Sequence, residues 1–345
     1  TVLIKGDSMK TLDKEKVTPK FEKFNIENSN LVLQPKDIAD YIPKWLINGF
    51  AEKHKLISLY AMPGQGKSIT TLYLACYILE NKLINKIIYI DMDNGLGTLK
   101  SRGLERLLIK YGESLKYIST SKKATQDFIY SEVIRKLSEN ASDSNNDTLI
   151  IFDSIRNFIK GSMSVDNDVM PTLNAMQKMR NYYAGVWFLN HQSKQDFTGE
   201  NNKAYKGATA FFDSCDEAYF VKKISRTDNR LITTLEPMKQ RDDTQPQAII
   251  IDTDNLSIKF EDFILHSLNE KQSQALEYIK EVILDHPNGI TQTDLLKRVK
   301  RLAATDETEI CGANSMLKLL NHFAGKLYRI STGNIRNSCI YYPLT

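Results

Sequence analysis

The sequence predicts an α/β fold with a mostly parallel central sheet, followed by a small C-terminal domain. Three continuous apolar runs, at residues 86–90, 148–152 and 186–189, have the composition of strands that are buried on both faces of a parallel sheet. A fourth run, at residues 56–60, leads through a glycine-rich turn into a pattern of helical period. Strands that alternate with helices in this way are typical of α/β domains.

Length and composition fit a cytoplasmic protein with more than one domain. The 345 residues suffice for two or more cores, and 41% of them are hydrophobic. The net charge of +4 neither requires nor excludes a nucleic-acid partner. The four cysteines are far apart and form no CxxC pair, which favours buried free thiols in a reducing compartment over a zinc site. No apolar run has membrane-spanning length, so we expect no membrane contact.

The turn after residues 56–60 has the pattern of a phosphate-binding P-loop. It reads Ala61-Met62-Pro63-Gly64-Gln65-Gly66-Lys67-Ser68 and continues into a helix. Glycines allow the backbone to adopt positive φ and to approach phosphate closely, and the helix N-terminus attracts anions. Lys67 would neutralise the β- and γ-phosphates, and Ser68 would ligate Mg²⁺. The predicted nucleotide-binding residues are Pro63, Gly64, Gln65, Gly66, Lys67, Ser68 and Ile69.

Carboxylates follow two of the predicted strands. The strand at residues 148–152 ends at Asp153, which is the Walker B pattern, and Asp153 would hold the water shell of the Mg²⁺ ion. Asp91 and Asp93 follow the strand at residues 86–90, at the same predicted edge of the sheet. One of these two could orient an attacking water, or they could cap the next helix. For Asp91 we favour the cap.

The strand at residues 186–189 is followed by polar residues that include His191. At the end of a strand, His191 could contact a γ-phosphate and report its loss, or it could be a structural histidine. The pattern does not separate these two interpretations. The polar stretch at residues 194–207 is longer than most loops inside a compact domain, which is typical of a functional or disordered segment.

The C-terminal region has the element order of a winged helix. Three amphipathic helical patterns, the second with Thr291 as its predicted N-cap, precede two strands joined by a turn. Such a domain could contact duplex DNA, or it could contact a protein partner alone. The cations expected to face DNA are Lys318, Lys326, Arg329 and Arg336. The predicted regions are an N-terminal arm at residues 1–40, an α/β ATPase domain at 41–262 and a winged helix at 263–345.

The order of these motifs resembles the RecA-like hexameric ATPases of the plasmid RepA and replicative-helicase type, which are related to DnaB, RadA and KaiC cores. The resemblance covers about residues 40–260. Its markers are residues 45–49, the P-loop, and residues 89–102, 149–154, 188–194, 207–213 and 239–241. It implies a RecA-like P-loop NTPase fold, ATP and Mg²⁺ as cofactors, and a homo-oligomer with a hexamer as the expected form.

The resemblance also assigns roles by position. The catalytic glutamate of the family falls on Asp93, whose side chain is one methylene shorter. Lys239 and Arg241 match a Lys-x-Arg element that reaches the γ-phosphate of a neighbouring subunit, with Arg241 as an arginine finger. The loops at residues 156–171 and 194–207 match channel loops that grip single-stranded DNA.

The resulting hypothesis is an ATP-dependent DNA motor, a replicative-type helicase of a plasmid or mobile element. One alternative is a RecA- or RadA-like recombination ATPase. Another is a nucleotide-switched DNA-binding or regulatory protein without unwinding activity, which the aspartate at position 93 and the winged helix both favour.

Overall fold

The computed structural model describes residues 32–122, 125–192, 203, 207–241, 243–332 and 339–344. The chain divides into two units, residues 1–43 and residues 44–345. In the first unit, helix α1 (Pro35–Ala39) begins after Gln34, and the carboxylate of Asp37 accepts a hydrogen bond from the backbone N–H of Gln34. Residues 1–31 of the predicted arm lie outside the described residues.

The second unit contains the predicted α/β domain. Its strands are β1 (Trp45–Ile47), β2 (Ala51–Glu52), β3 (Leu56–Ala61), β4 (Lys86–Asp91), β5 (Leu115–Ser119), β6 (Thr148–Asp153), β7 (Gly185–His191), β8 (Glu217–Arg226), β9 (Arg230–Lys239), β10 (Gln247–Asp252) and β11 (Ser257–Glu261). Its helices are α2 (Lys67–Glu80), α3 (Leu96–Ser101), α4 (Leu104–Tyr111), α5 (Gln126–Phe128), α6 (Arg135–Glu139), α7 (Asp166–Arg180) and α8 (Thr209–Ser214), with a π-helix at Ile129–Ile134 between α5 and α6.

In the described part of the chain, strands β3 to β11 form one sheet in the order β11-β10-β9-β8-β3-β7-β6-β4-β5. The strands from β8 to β5 in this order run parallel. The remaining three, β9, β10 and β11, extend the sheet as antiparallel strands. The predicted mostly parallel sheet is therefore confirmed, and the P-loop strand β3 lies near its centre.

Side chains of alternate residues in each central strand enter two separate cores. Ile57 and Leu59 of β3 pack in the core that contains α2, whereas Leu56 and Tyr60 pack on the opposite face with α7. All four are at most 1% exposed. Burial on both faces explains why the central strands are continuous apolar runs in the sequence.

Helix α7 begins earlier than the sequence pattern indicates. The polar composition of residues 156–171 predicts a loop, with a helix that starts only at Thr172. The structure instead includes Pro171 within α7 (Asp166–Arg180). Asn167, whose carbonyl loses its helical donor at Pro171, is exposed, so water can bond that carbonyl. The loop prediction is thus wrong for residues 166–171, which belong to α7. A 3₁₀ turn at Ile155–Phe158 overlaps the beginning of the predicted loop.

The chain after β11 forms helices and a small sheet. The elements are α9 (Phe263–Ser267), α10 (Glu270–Leu284), β12 (Ile290–Thr291), α11 (Gln292–Thr305), α12 (Ala313–Phe323), β13 (Tyr328–Thr332) and β14 (Cys339–Pro343). In the described residues, these strands pair in the order β12-β14-β13, and the helices pack on them through a core of their own. Thr291 is the N-cap of α11, as predicted, because its hydroxyl accepts from the N–H of Asp294. The winged-helix assignment stays a prediction.

None of the helices within the described ranges is both long enough and apolar enough to span a lipid bilayer.

Candidate nucleotide site

The carboxyl ends of four neighbouring parallel strands, β3, β7, β6 and β4, lie along one edge of the sheet. The strand register places Ala61 beside His191 and Asp91 beside Asp153. Because the P-loop leaves β3 at this edge, the sheet positions the predicted phosphate-binding and Mg²⁺-binding residues within one region. In open α/β sheets, ligands bind outside this edge.

The P-loop has the backbone conformation that the sequence predicts. Gly64 and Gly66 have φ angles of +79° and +81°, which residues with a Cβ rarely adopt. A Cβ at Gly64 would meet no heavy atom within 4 Å, so the space beside this residue is open. A Cβ at Gly66 would lie 3.1 Å from Cδ2 of Leu231 on β9. A side chain at position 66 would therefore crowd Leu231 in addition to straining the backbone.

Lys67 is the first residue of α2, and its side chain lies beneath the loop. The residue is 8% exposed, and its Nζ is 3.5 Å from the carbonyl oxygen of Ala61. Burial lowers the pKa of Lys67, while the charges of Asp153 and Asp93 act in the opposite direction. A buried ammonium group of this kind gains free energy when an anion such as a phosphate is bound beside it.

Asp153 lies at the end of β6 and is held by two hydroxyl groups. The Ser68 side chain hydrogen-bonds to it, and the Tyr89 hydroxyl donates to its Oδ2 at 3.0 Å. Burial and the nearby Asp91 carboxylate raise the pKa of Asp153 to about 7, although the two hydrogen bonds favour its charged form. The two residues predicted to hold Mg²⁺, Ser68 and Asp153, are therefore in direct contact.

Asp91 is a structural group rather than a free carboxylate. Its Oδ1 accepts hydrogen bonds from the backbone N–H groups of Asp93 and Asn94, at 2.9 and 3.0 Å. Its Oδ2 accepts from the hydroxyl of Tyr117 at 2.6 Å. The favoured interpretation of Asp91 as a helix cap is therefore wrong, because the N-cap of α3 is Gly95 and no side chain caps the helix. Asp91 instead holds the turn that precedes α3.

Several residues of the site were not predicted from the sequence. Tyr89 and Tyr117 stack with ring centroids 4.8 Å apart, and each hydroxyl bonds one of the two buried carboxylates. Arg102 donates to Oδ1 of Asn94 at 3.0 Å, and its charge acts on both Lys67 and Asp153. A tyrosine in a buried strand needs a hydrogen-bond partner for its hydroxyl. This requirement was the sequence feature that could have indicated a role for Tyr89 in the site.

Asp93 is exposed and close to the P-loop lysine. Its charge acts on Lys67, and its Oδ1 accepts a hydrogen bond from the side-chain amide of Asn157 in the 3₁₀ turn after β6. Asn157 is a second residue that sequence reasoning missed. The structure places Asp93 in the region of the predicted phosphate site, where a water-orienting carboxylate would lie.

His191 ends β7 beside Ala61, so it lies next to the start of the P-loop. The following residue, Gln192, donates its backbone N–H to the carbonyl of Ala61 at 3.0 Å. The strand end is thus joined to the loop, which is the position expected for a group that responds to phosphate.

Lys239 and Arg241 lie at the other edge of the sheet. Lys239 pairs with Ala218 near the start of β8, and Ala218 pairs with Ser58 in the first half of β3. The Nζ of Lys239 donates to the carbonyls of Phe212 and Asp213 at 2.6 and 2.9 Å. The Arg241 guanidinium is 55% exposed and lies 3.4 Å from Oδ1 of Asp216. Neither residue is beside the P-loop of its own chain.

The two predicted DNA-binding loops differ in how much is described. The first is reduced to residues 159–165, where Lys160 lies 3.5 Å from Asp127 and over the ring of Tyr130. Of the second, residues 194–207, only Lys203 and Gly207 belong to the described residues. The Tyr60 hydroxyl donates to the carbonyl of Lys203 at 2.9 Å, which attaches that loop to β3.

The residues present fit a nucleotide with its magnesium ion. The space beside Gly64 is open, the buried Lys67 ammonium lies beneath the loop, and Ser68 and Asp153 present oxygens side by side. Within the described ranges, no three His, Cys, Asp or Glu side chains converge on one point. A Mg²⁺ ion here would therefore take most of its ligands from phosphates and water, which is its usual mode of binding.

Comparisons with known proteins give one family match and similarity to solved structures. Residues 37–196, a little under half of the chain, match the protein family described as an AAA domain. The chain is similar to the solved flagellar accessory protein FlaH from Methanocaldococcus jannaschii, with 15% identity, 61% of this chain and 90% of that chain covered, and a TM-score of 0.40. It is also similar to a second solved structure, that of an isolated ATPase domain, with 12% identity, 60% and 84% coverage, and a TM-score of 0.43. No curated protein matches the chain.

The P-loop geometry, the strand order and the family match together indicate an α/β P-loop ATPase core with a mostly parallel sheet.

Proposed function

We propose that this protein is an ATP-dependent DNA motor of the replicative-helicase type, which acts as a homo-oligomer with a hexamer as the expected form. The observation that supports this most is the separation of the predicted catalytic groups. Lys67, Ser68 and Asp153 lie at one edge of the sheet, whereas Lys239 and Arg241 lie at the other. A complete site would then need two subunits. The cytoplasmic setting rests on the composition and the four separated cysteines, and the plasmid or mobile element rests on the sequence resemblance.

In this proposal, each residue of the site has a separate role in ATP binding or hydrolysis. Lys67 and the P-loop N–H groups bind the phosphates, and Ser68 with Asp153 positions Mg²⁺. Asp93 orients the attacking water, and His191 senses the γ-phosphate. The bound Mg–ATP supplies the phosphoanhydride bond and a divalent charge that offsets the charge on the phosphates. Arg241, with Lys239, would stabilise charge on the phosphates of the adjacent subunit.

DNA would be bound at the same edge of the sheet as the nucleotide. The first predicted loop follows β6 and presents the exposed Arg156 and Lys160. The second, residues 194–207, follows β7. Because both loops follow strands that end at the ATP site, hydrolysis could move them along single-stranded DNA.

The test is ATP turnover with and without single-stranded DNA, together with strand displacement on a forked duplex. Turnover that DNA stimulates, with unwinding, is the expected result. Stimulation without unwinding would favour the recombination-type ATPase. Absence of turnover in the presence of Mg–ATP and DNA would contradict the motor.

A nucleotide-switched DNA-binding protein is the second candidate, and the state of Asp93 favours it. The Asp93 carboxylate is one methylene shorter than the family glutamate, and it is engaged by Asn157. Both features would weaken water activation. This candidate predicts ATP-dependent binding to duplex DNA without stimulated turnover.

A further inference from the structure

Helix α11 carries a group of exposed cations that the ATP site does not use. Lys297, Arg298 and Arg301 line one side of a cavity of about 590 Å³, whose other walls include the β12 region and Asp294. Lys300, also exposed, lies next to them on the helix. Sequence reasoning had placed the DNA-facing cations later, on the third helix and the hairpin.

These cations differ from Lys271 and Lys280 of α10, which form ion pairs with nearby acids. Within the described residues, no carboxylate forms an ion pair with Lys297, Arg298 or Arg301. The one acidic side chain in the cavity, Asp294, accepts from the Thr291 hydroxyl at 2.8 Å. On α10, by contrast, Lys271 pairs with Glu309 and Lys280 pairs with Glu277.

The third helix is poorly placed for the role that the sequence suggested. Lys326, just after α12, donates to Oδ2 of Asp262 at 2.6 Å, at the end of the ATPase sheet. His322 lies against the same carboxylate at 2.9 Å. Lys318 lines a second cavity, of about 380 Å³, with Ile264 and Leu268 at the α9 end of the domain. This face of α12 is therefore directed toward the ATPase domain.

We propose that α11, through Lys297, Arg298 and Arg301, is the surface of the C-terminal domain that binds the phosphate backbone of duplex DNA. Lysine and arginine donate to phosphate oxygens, and the planar guanidinium groups can do so with two N–H donors each. Lys297 and Arg301 are four residues apart, which is about 6 Å along a helix. Phosphates of one strand are spaced about 3.4 Å apart along the duplex axis, so the group can contact two or three of them.

This inference rests on the proposed function for its class of partner, since it takes DNA as the ligand of the motor. It does not need ATP hydrolysis. Contacts to phosphate alone give binding that depends on salt and not on sequence. The α11 surface would thus hold duplex DNA near the motor without selecting a site.

The test is fluorescence anisotropy of a short labelled duplex with the full chain, without nucleotide, at salt concentrations from about 50 to about 200 mM. The variant is Lys297→Ala/Arg298→Ala/Arg301→Ala. Each lost phosphate contact reduces the slope of log K against log salt by about 0.9, so the slope should fall by about two to three. The matched control, Lys259→Ala/Lys271→Ala/Lys280→Ala, removes the same charge from exposed, ion-paired lysines and should leave the slope nearly unchanged.

Three results would overturn the proposal. These are equal losses in the two triple variants, no duplex binding by the unaltered protein at the lowest salt, and a loss confined to single-stranded DNA. The second result would point instead to an acidic protein partner. If the triple variant does not fold, the single reversal Arg301→Glu is tested in its place, with the same expected direction. Basal ATP turnover is measured in parallel, so an inactive ATPase that still binds duplex through α11 would refute the motor and leave this inference standing.

Discussion

At the residue scale, Tyr89 is the centre of the buried polar contacts beneath the P-loop. Its hydroxyl lies 3.0 Å from Oδ2 of Asp153 and 3.3 Å from the carbonyl oxygen of Ser68. Burial raises the pKa of Tyr89, so the group remains a donor at any physiological pH. The residue therefore fixes the carboxylate and the P-loop helix to one another, which is a positioning role.

We expect Tyr89→Phe to reduce ATP turnover while the ring stays stacked on Tyr117. A hydrogen bond to a charged group contributes about 1.5–3 kcal/mol, which corresponds to a roughly tenfold to hundredfold loss of kcat/KM. Turnover across a Mg²⁺ titration measures this, and the loss should be smaller at saturating Mg²⁺. Tyr111→Phe, which removes a long, exposed contact to Glu80, is the control. Equal effects of the two variants would argue against a specific role.

At the element scale, the junction of α3 and α4 shows how backbone geometry limits the sequence. Gly103 precedes α4 with φ at +75°, and a Cβ there would lie 3.1 Å from Cδ2 of Leu256. Gly97 lies inside α3, where a Cβ would meet no heavy atom within 4 Å. Backbone angle and packing therefore favour glycine at position 103, whereas neither excludes a side chain at position 97.

Alanine at these two positions should change stability in opposite directions. Gly103→Ala is expected to lower the free energy of unfolding by about 1–2 kcal/mol because of the left-handed backbone. Gly97→Ala is expected to raise it by about 0.5–1 kcal/mol because alanine favours the helix. Urea unfolding of the two variants beside the unaltered protein measures both. A stabilising Gly103→Ala would show that the α3–α4 junction differs from the geometry described.

At the scale of the whole molecule, the two edges of the sheet divide the predicted ATPase chemistry. The P-loop and Asp153 lie at the carboxyl ends of the parallel strands, and Arg241 lies near their amino ends. In its own chain, Arg241 is held by Asp216, an acid that also accepts from Arg180 and from the N–H of Leu56. The same side chain is half exposed, so a neighbouring subunit could recruit it.

A site shared between subunits predicts complementation. Lys67→Ala should lose nucleotide binding, and Arg241→Ala should lose turnover while its nucleotide affinity stays largely intact. Mixed together, the two variants should recover part of the turnover, because some interfaces then combine an intact P-loop with an intact arginine. Arg135→Ala, which changes an exposed arginine on α6 that is paired with Glu139, is the control. Turnover that Arg241→Ala leaves unchanged would remove the case for a trans-acting arginine.

At the same scale, contacts of the Asp262 carboxylate with His322 and Lys326 join the end of the ATPase sheet to the C-terminal domain. Burial raises the pKa of this carboxyl, but hydrogen bonds from Lys326 and His322 and from the N–H of Ile264 outweigh it, so the pKa is lowered. A lowered folded-state pKa contributes stability that is present above the unfolded pKa of about 3.9 and is lost as the pH falls through the folded value.

Asp262→Asn should therefore destabilise the protein near neutral pH and have less effect in acid. Urea unfolding of both proteins, from neutral pH to below about pH 4, should show the difference in unfolding free energy shrinking as the pH falls. Asp143→Asn, on an exposed turn, should show no such trend. A difference that grows in acid would contradict the assignment of the contact to the charged carboxylate.

Much of the core was predictable because local patterns there agree with the tertiary environment. Residues 87–90 and 149–152 are apolar throughout, and the strands they predict are buried on both faces. The start of α7 was not predictable, since Pro171 is tolerated in the helix only because the carbonyl it leaves without a donor belongs to the exposed Asn167. The pairing of Tyr89 with Asp153 depends on adjacent strands that are 64 residues apart in the chain.

The sequence by itself determined the P-loop, because a strand, a turn with two glycines that ends in Gly-Lys-Ser, and a helix are contiguous and their chemistry is local. It likewise determined the buried strands and the carboxylate that ends β6. Only the tertiary structure decided which side chains hold that carboxylate and that Arg241 lies far from the P-loop of its own chain. It also decided that, within the described residues, the exposed cations Lys297, Arg298 and Arg301 of α11 form no ion pair. These depend on strand order and on ion pairs between distant segments, which no local pattern encodes.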